Sequence, residues 1–137
     1  MLSREQIAQN KKEFISLISS INREGAKIDK LLEKLEGSDF FYAPASTQFH
    51  GAYEGGLCDH CLNVYYNMMH LVNYKAPTLG IDPETLKESI LVVSLLHDIS
   101  KMNLYTLSAK NTKVYCAEGD KSDILGNFYW DTKLIYS

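Results

Sequence analysis

The sequence contains no apolar run of the roughly 18 residues that a membrane-spanning helix needs. Its start, Met1-Leu2-Ser3-Arg4-Glu5-Gln6, also lacks the apolar core of a signal peptide. No membrane partner is implied, and a cytoplasmic location is expected. Cysteine is scarce: Cys58, Cys61 and Cys116 form an odd set without an export signal, which suits reduced thiols better than a disulfide framework. Positive charge is not in excess. A net charge of -3 gives no broad attraction for nucleic acid, leaving at most a local basic contact around Lys101, Lys110 and Lys113. Repeats and low-complexity linkers are missing too. What is present is a 137-residue chain, 45% hydrophobic and 23% charged, expected to form a single domain over residues 1–137 with its own core.

Residues 1–37 carry the signs of two packing helices. Ser3 and Gln6 stand at the two positions of a capping box, and Ile7, Phe14, Leu17, Ile18 and Ile21 recur at helical spacing. Ile28, Leu31, Leu32 and Leu35 suggest a second helix, with Gly37 placed for a left-handed carboxy-terminal cap. Residues 38–58 read as an irregular but apolar loop, because Pro44, Gly51, Gly55 and Gly56 interrupt any period. A third helix is expected over His60–Tyr74, ended by Pro77 and Gly80, with Asp59 near its start. A fourth follows the Asp82-Pro83-Glu84 start signal and is apolar nearly all round, which places it centrally. After it, residues 113–117 and 128–136 read as extended, consistent with a small hairpin. The chain stops on an apolar run, so the domain is expected to continue past Ser137.

The strongest chemical signal is Leu95-Leu96-His97-Asp98-Ile99-Ser100-Lys101, which puts a histidine, an aspartate and a lysine at the end of an apolar helix. Buried without partners such groups cost several kcal/mol, and a bound cation is the simplest compensation. His60 opens the other helix needed to complete such a site, and Lys101 falls one helical turn beyond His97. Cys58-Asp59-His60-Cys61 imitates a zinc knuckle, but a structural zinc site takes four ligands and no second Cys-x-x-Cys pair exists, so both thiols are read as packing.

These residues resemble the HD superfamily of metal-dependent phosphohydrolases, whose ligands are a histidine, a His-Asp doublet and a later aspartate on packed helices. The segment His50-Gly51-Ala52-Tyr53-Glu54-Gly55-Gly56-Leu57-Cys58-Asp59-His60 is similar to the H-H-A-Y-x-G-G-L-x-x-H stretch in the HD domain of YhaM-type three-prime-to-five-prime exoribonucleases. Gly51 replaces the second histidine of that pattern. The resemblance covers residues 48–105, the motif-bearing core. It implies an all-α helical bundle, to which the tail would add at most the small hairpin, and His60, His97 and Asp98 as ligands of a divalent ion. Manganese, iron, magnesium, nickel and zinc all stay open as its identity. Lys101 and Asp98 become the catalytic residues, Lys101 facing phosphate, and His50 and Tyr53 become candidate substrate contacts. Asp120, Asp123 and Asp131 are the only later aspartates, and Asp131 is the best placed to serve as the late ligand. None lies in helical sequence, so either the remaining ligands follow Ser137 or the site is incomplete.

The expected function is metal-assisted hydrolysis of a nucleotide or another phosphoester. Two alternatives stand beside it: a nuclease of the HD type, and an inactive nucleotide-binding or regulatory module that keeps the fold.

Overall fold

A computed structural model describes all residues from Met1 to Ser137. The chain divides into two compact units, Met1–Tyr105 and Thr106–Ser137, and residues 48–105 lie wholly in the first. That unit holds α1 (Arg4–Ser19), α2 (Ile28–Glu36), α3 (Gly56–Leu79), α4 (Pro83–Leu96) and a 3-10 turn, Ile99–Lys101. The second holds β1 (Leu107–Tyr115), β2 (Lys121–Asp123) and β3 (Gly126–Tyr136).

The expected all-α architecture is therefore wrong. Helices are followed by a three-stranded antiparallel sheet in the order β1-β3-β2, so the fold is mixed. The reason lies in β1, whose alternation of Leu107 and Ala109 with Ser108 and Lys110 is broken by the polar Asn111, too short a pattern to mark a strand. It becomes a strand by pairing over its whole length with β3, from Leu107 opposite Tyr136 to Tyr115 opposite Phe128. The tight turn between β2 and β3 falls at Ile124-Leu125, and Gly126-Asn127, a turn-like dipeptide by sequence, lies inside the β2–β3 pairing.

Helix starts follow local chemistry. Ser3 Oγ accepts from the Gln6 amide while Gln6 Oε1 accepts from the Ser3 amide, completing the capping box of α1. Asp82 accepts from the Glu84 amide at the start of α4, with Pro83 in its first turn. Helix ends depart further from expectation. Gly37 follows α2 with φ -78°, right-handed, so no left-handed cap forms there. The third helix begins earlier, at Gly56, and runs through Pro77 to Leu79 before Gly80 turns left-handed. Pro77 brings no amide hydrogen to that last turn, and the helix ends two residues after it.

The core of the first unit gathers Phe14 and Ile18 of α1, Leu35 of α2, Leu57, Cys58, Cys61 and Leu62 of α3, and Ile90, Leu91 and Leu95 of α4. Loop residues Phe40, Phe41, Ala43 and Ala45 join them, so the irregular stretch is packed down as expected. Phe14, Phe40 and Phe41 form a ring cluster with centroids 5.0–5.6 Å apart, in the tilted and edge-on arrangements that aromatic quadrupoles favour. The fourth helix is less central than its apolar circumference suggests, since Val93 stays 57% exposed. Most of the buried residues of α3 lie in its amino-terminal part, Gly56 to Tyr65, with Ala76 buried near its other end while Leu71, Tyr74 and Leu79 are exposed. No helix is long and apolar enough to cross a membrane.

Candidate metal centre

The first turns of α3 and the end of α4 bring His60, His97 and Asp98 together. His60 Nε2 lies 3.2 Å from His97 Nε2 and 3.4 Å from Asp98 Oδ2. His97 Nε2 lies 3.5 Å from the same oxygen. One ligand atom from each residue thus falls within 4.8 Å of the others.

Local structure explains how each side chain is aimed. The last carbonyls of an α-helix have no partner within the helix, and Ser94 O, near the end of α4, meets His97 Nδ1 at 2.6 Å. A carbonyl only accepts, so Nδ1 carries the proton and the Nε2 lone pair points into the cluster. The α-helix ends at Leu96, and His97 and Lys101 do not share it, contrary to expectation. Asp98 instead leads into the 3-10 turn, where side chains three apart eclipse one another. That geometry lays Lys101 Nζ 2.9 Å from Asp98 Oδ2.

The cluster is not buried as its apolar surroundings imply. Side-chain exposures of 23% for His60, 32% for His97 and 19% for Asp98 leave one side open to solvent. Burial, then the positive field of His50, lower the pKa of His60, so its neutral, ligating form is favoured. Burial pushes the Asp98 carboxyl up, but the Lys101 hydrogen bond and the nearby His97, Lys101 and His60 outweigh it and hold it below the usual value. Two imidazoles and one carboxylate are a fitting donor set for a first-row divalent ion. A tetrahedral ion with bonds of about 2.0–2.1 Å spaces its ligand atoms about 3.3–3.4 Å apart. The observed separations of 3.2, 3.4 and 3.5 Å bracket that value.

The remaining expected site residues are distributed differently. His50 stands at the rim, its ring 4.7 Å from that of His60. Tyr53 does not face the cluster with its hydroxyl, which donates to Asp59 Oδ2 at 2.8 Å. Asp59 also accepts from Asn10 of α1 and Asn63 of α3, so it ties the 50–56 loop to two helices. Asp131 lies in β3, exposed and opposite Thr112, and is not part of the three-residue group; no late helical ligand exists here. Asp123 is engaged by Lys113 and Tyr115 within the sheet unit. Nor is Lys101 or Lys113 a free basic contact, since each ammonium already faces a carboxylate. Cys58 and Cys61 are buried free thiols in the core, as the packing reading requires.

Gly51, where the chain departs from the HD pattern, has a steric explanation. Its φ is +66°, a Cβ there would lie 2.7 Å from Ala45 Cβ, and the Gly51 carbonyl oxygen is packed where a Cβ on Gly56 would stand. Histidine has no room at this position. The Ser94 carbonyl and Asp59 were not singled out as positioning groups; His97 standing three residues after Ser94 at a helix end was the available clue for the first. A hollow of about 440 Å³ lined by Arg4, Ile7, Ala8, Lys11, Tyr42 and Glu54 lies apart from the three ligands. Comparison with protein families, with curated proteins and with solved structures finds no match to this chain.

Proposed function

We propose that the chain is a metal-dependent phosphohydrolase acting on a nucleotide or another small phosphoester. The observation that carries this reading is the convergence of His60 Nε2, His97 Nε2 and Asp98 Oδ2 at separations suited to one four-coordinate divalent ion. The two imidazoles argue for zinc, iron, manganese or nickel over magnesium, which prefers oxygen ligands. When bound, such an ion acidifies a coordinated water and polarises a phosphoryl oxygen. His97 is held in its ligating tautomer by Ser94 O, and His60 is kept neutral by burial. Asp98 supplies the negative charge, and the open side of the cluster admits substrate. Lys101 adds a positive charge where a phosphate oxygen would approach. A cytoplasmic setting, with its reducing conditions, suits the three free thiols.

Hydrolysis of p-nitrophenyl phosphate and of nucleoside phosphates, with and without added zinc or manganese, tests the reading. Turnover should vanish with chelator and fall at least about a hundredfold in Asp98→Asn. Chelator-resistant turnover would overturn it. A second reading, a binding or regulatory module without turnover, is favoured by two features: only three ligands converge, and Asp98 already holds an ammonium. Stoichiometric metal and nucleotide binding without hydrolysis would select it.

A further inference from the structure

Asp98 Oδ2 is the most crowded atom of the cluster. It faces His60 Nε2 at 3.4 Å, His97 Nε2 at 3.5 Å and Lys101 Nζ at 2.9 Å. The two imidazoles and the carboxylate are spaced to hold an ion, yet the only full charge-assisted hydrogen bond to that oxygen comes from lysine. An ammonium and a divalent ion on one oxygen would stand in contact and repel. They therefore compete for it.

We propose that Lys101 is a resident counter-cation of the ion-free site, and that an arriving divalent ion displaces it from Asp98 toward the substrate side. The inference rests on the metal reading above and adds an order of events to it. Before metal binds, Lys101 neutralises Asp98 and keeps the carboxylate turned toward the two histidines, a positioning role. After metal binds, the ammonium loses its partner but remains tethered by the 3-10 turn Ile99–Lys101, and its side chain is already 25% exposed. A flexible four-carbon stem lets it swing without moving the backbone. The same charge then becomes available to a phosphate oxygen only once the ion is in place, so metal binding precedes productive phosphate binding.

The test follows the ammonium itself. In chain labelled with nitrogen-15 at the lysine Nζ and the histidine ring nitrogens, zinc is titrated and both sets of resonances are read. The hydrogen-bonded Lys101 ammonium signal should disappear over the same equivalent of zinc that shifts His60 and His97. In parallel, Lys101→Met and Lys101→Gln should bind zinc about tenfold tighter or more than the parent, the competing cation being gone. Lys101→Arg should stay near the parent. Shifted imidazoles with an unchanged Lys101 signal, or unchanged zinc affinity in folded Lys101→Met and Lys101→Gln, would overturn this inference alone. Imidazoles that never respond to zinc would remove the metal reading and this inference with it.

Discussion

The two units of this chain are held together by different means. In the helical unit sixteen buried apolar side chains from four helices and a loop form one cluster; in the sheet unit only Phe128 is buried. What the sheet has instead is register and one decorated face. Lys113 lies 4.3 Å from the Phe128 ring centroid and 5.7 Å from that of Trp130 while its ammonium pairs with Asp123, which also accepts from Tyr115. Cross-strand contacts of this kind contribute roughly 0.2–1 kcal/mol each, whereas fully burying one large apolar side chain contributes about 1.5–3 kcal/mol. The helical unit is therefore the rigid platform on which a metal centre can be preorganised.

The thiols provide the largest contrast. Burial raises the pKa of Cys58 and pushes that of Cys61 to about 12, so neither forms thiolate at neutral pH while the core is closed. Cys116, in the sheet unit, is only half-buried. A disulfide reagent should modify Cys116 on the order of a thousandfold faster than the other two, whose labelling should wait for unfolding. Equal rates would mean that the helical core is loose.

Core truncation comes next. Phe14→Ala removes the ring that touches both Phe40 and Phe41, and should cost about 3–5 kcal/mol in urea unfolding followed by helical circular dichroism. A loss under about 1 kcal/mol would contradict the packing described. Gly51→His, which restores the residue of the HD pattern, should cost about 1–3 kcal/mol and displace His50, because the position is left-handed and filled by Ala45 and Gly56. An unchanged melting temperature would show that the loop yields more easily than its contacts suggest.

The smallest effect belongs to the sheet. Hydrogen bonds from Lys113 and from the Leu125 amide, joined by one from Tyr115, hold the Asp123 carboxyl below its ordinary value. A depressed carboxylate contributes stability above its unfolded pKa of about 3.9, and that contribution is lost as pH falls through the folded value. Amide-exchange protection factors, corrected for the intrinsic rate at each pH, should therefore fall below about pH 4 in β2 and in the β3 residues paired with it, and Asp123→Asn should abolish the change.

Much of the helical unit was legible because its signals are local and redundant. Ser3 with Gln6, and Asp82 with Pro83, name helix starts by capping chemistry alone, and the apolar spacing of Phe14, Ile18 and Leu35 names the faces that pack. The pairing of His60 with His97-Asp98 was legible for the same reason: two helices, each with its motif near one end. Helix ends were not, since Gly37 stays right-handed and the end of α4 at Leu96 depends on how the following turn packs. That missed end changed the chemistry, moving Lys101 from His97's helix face onto Asp98. The Tyr53 hydroxyl's partner was not legible, because it is Asp59, a helix-start carboxylate that also accepts from Asn10, 49 residues away. The all-α expectation failed because β1 is a strand by partnership, its apolar alternation stopping at Lys110 and Asn111 after only Leu107 and Ala109.

Whether His60, His97 and Asp98 hold an ion can be measured directly. Zinc titrated calorimetrically into dialysed chain should bind at one equivalent. Affinity should fall at least about tenfold in each of His60→Ala, His97→Ala and Asp98→Ala, since even groups that only orient ligands are worth that much, and should survive Asp131→Ala unchanged. Zinc binding that persists in all three variants, or that fails in the folded parent, would contradict the metal reading.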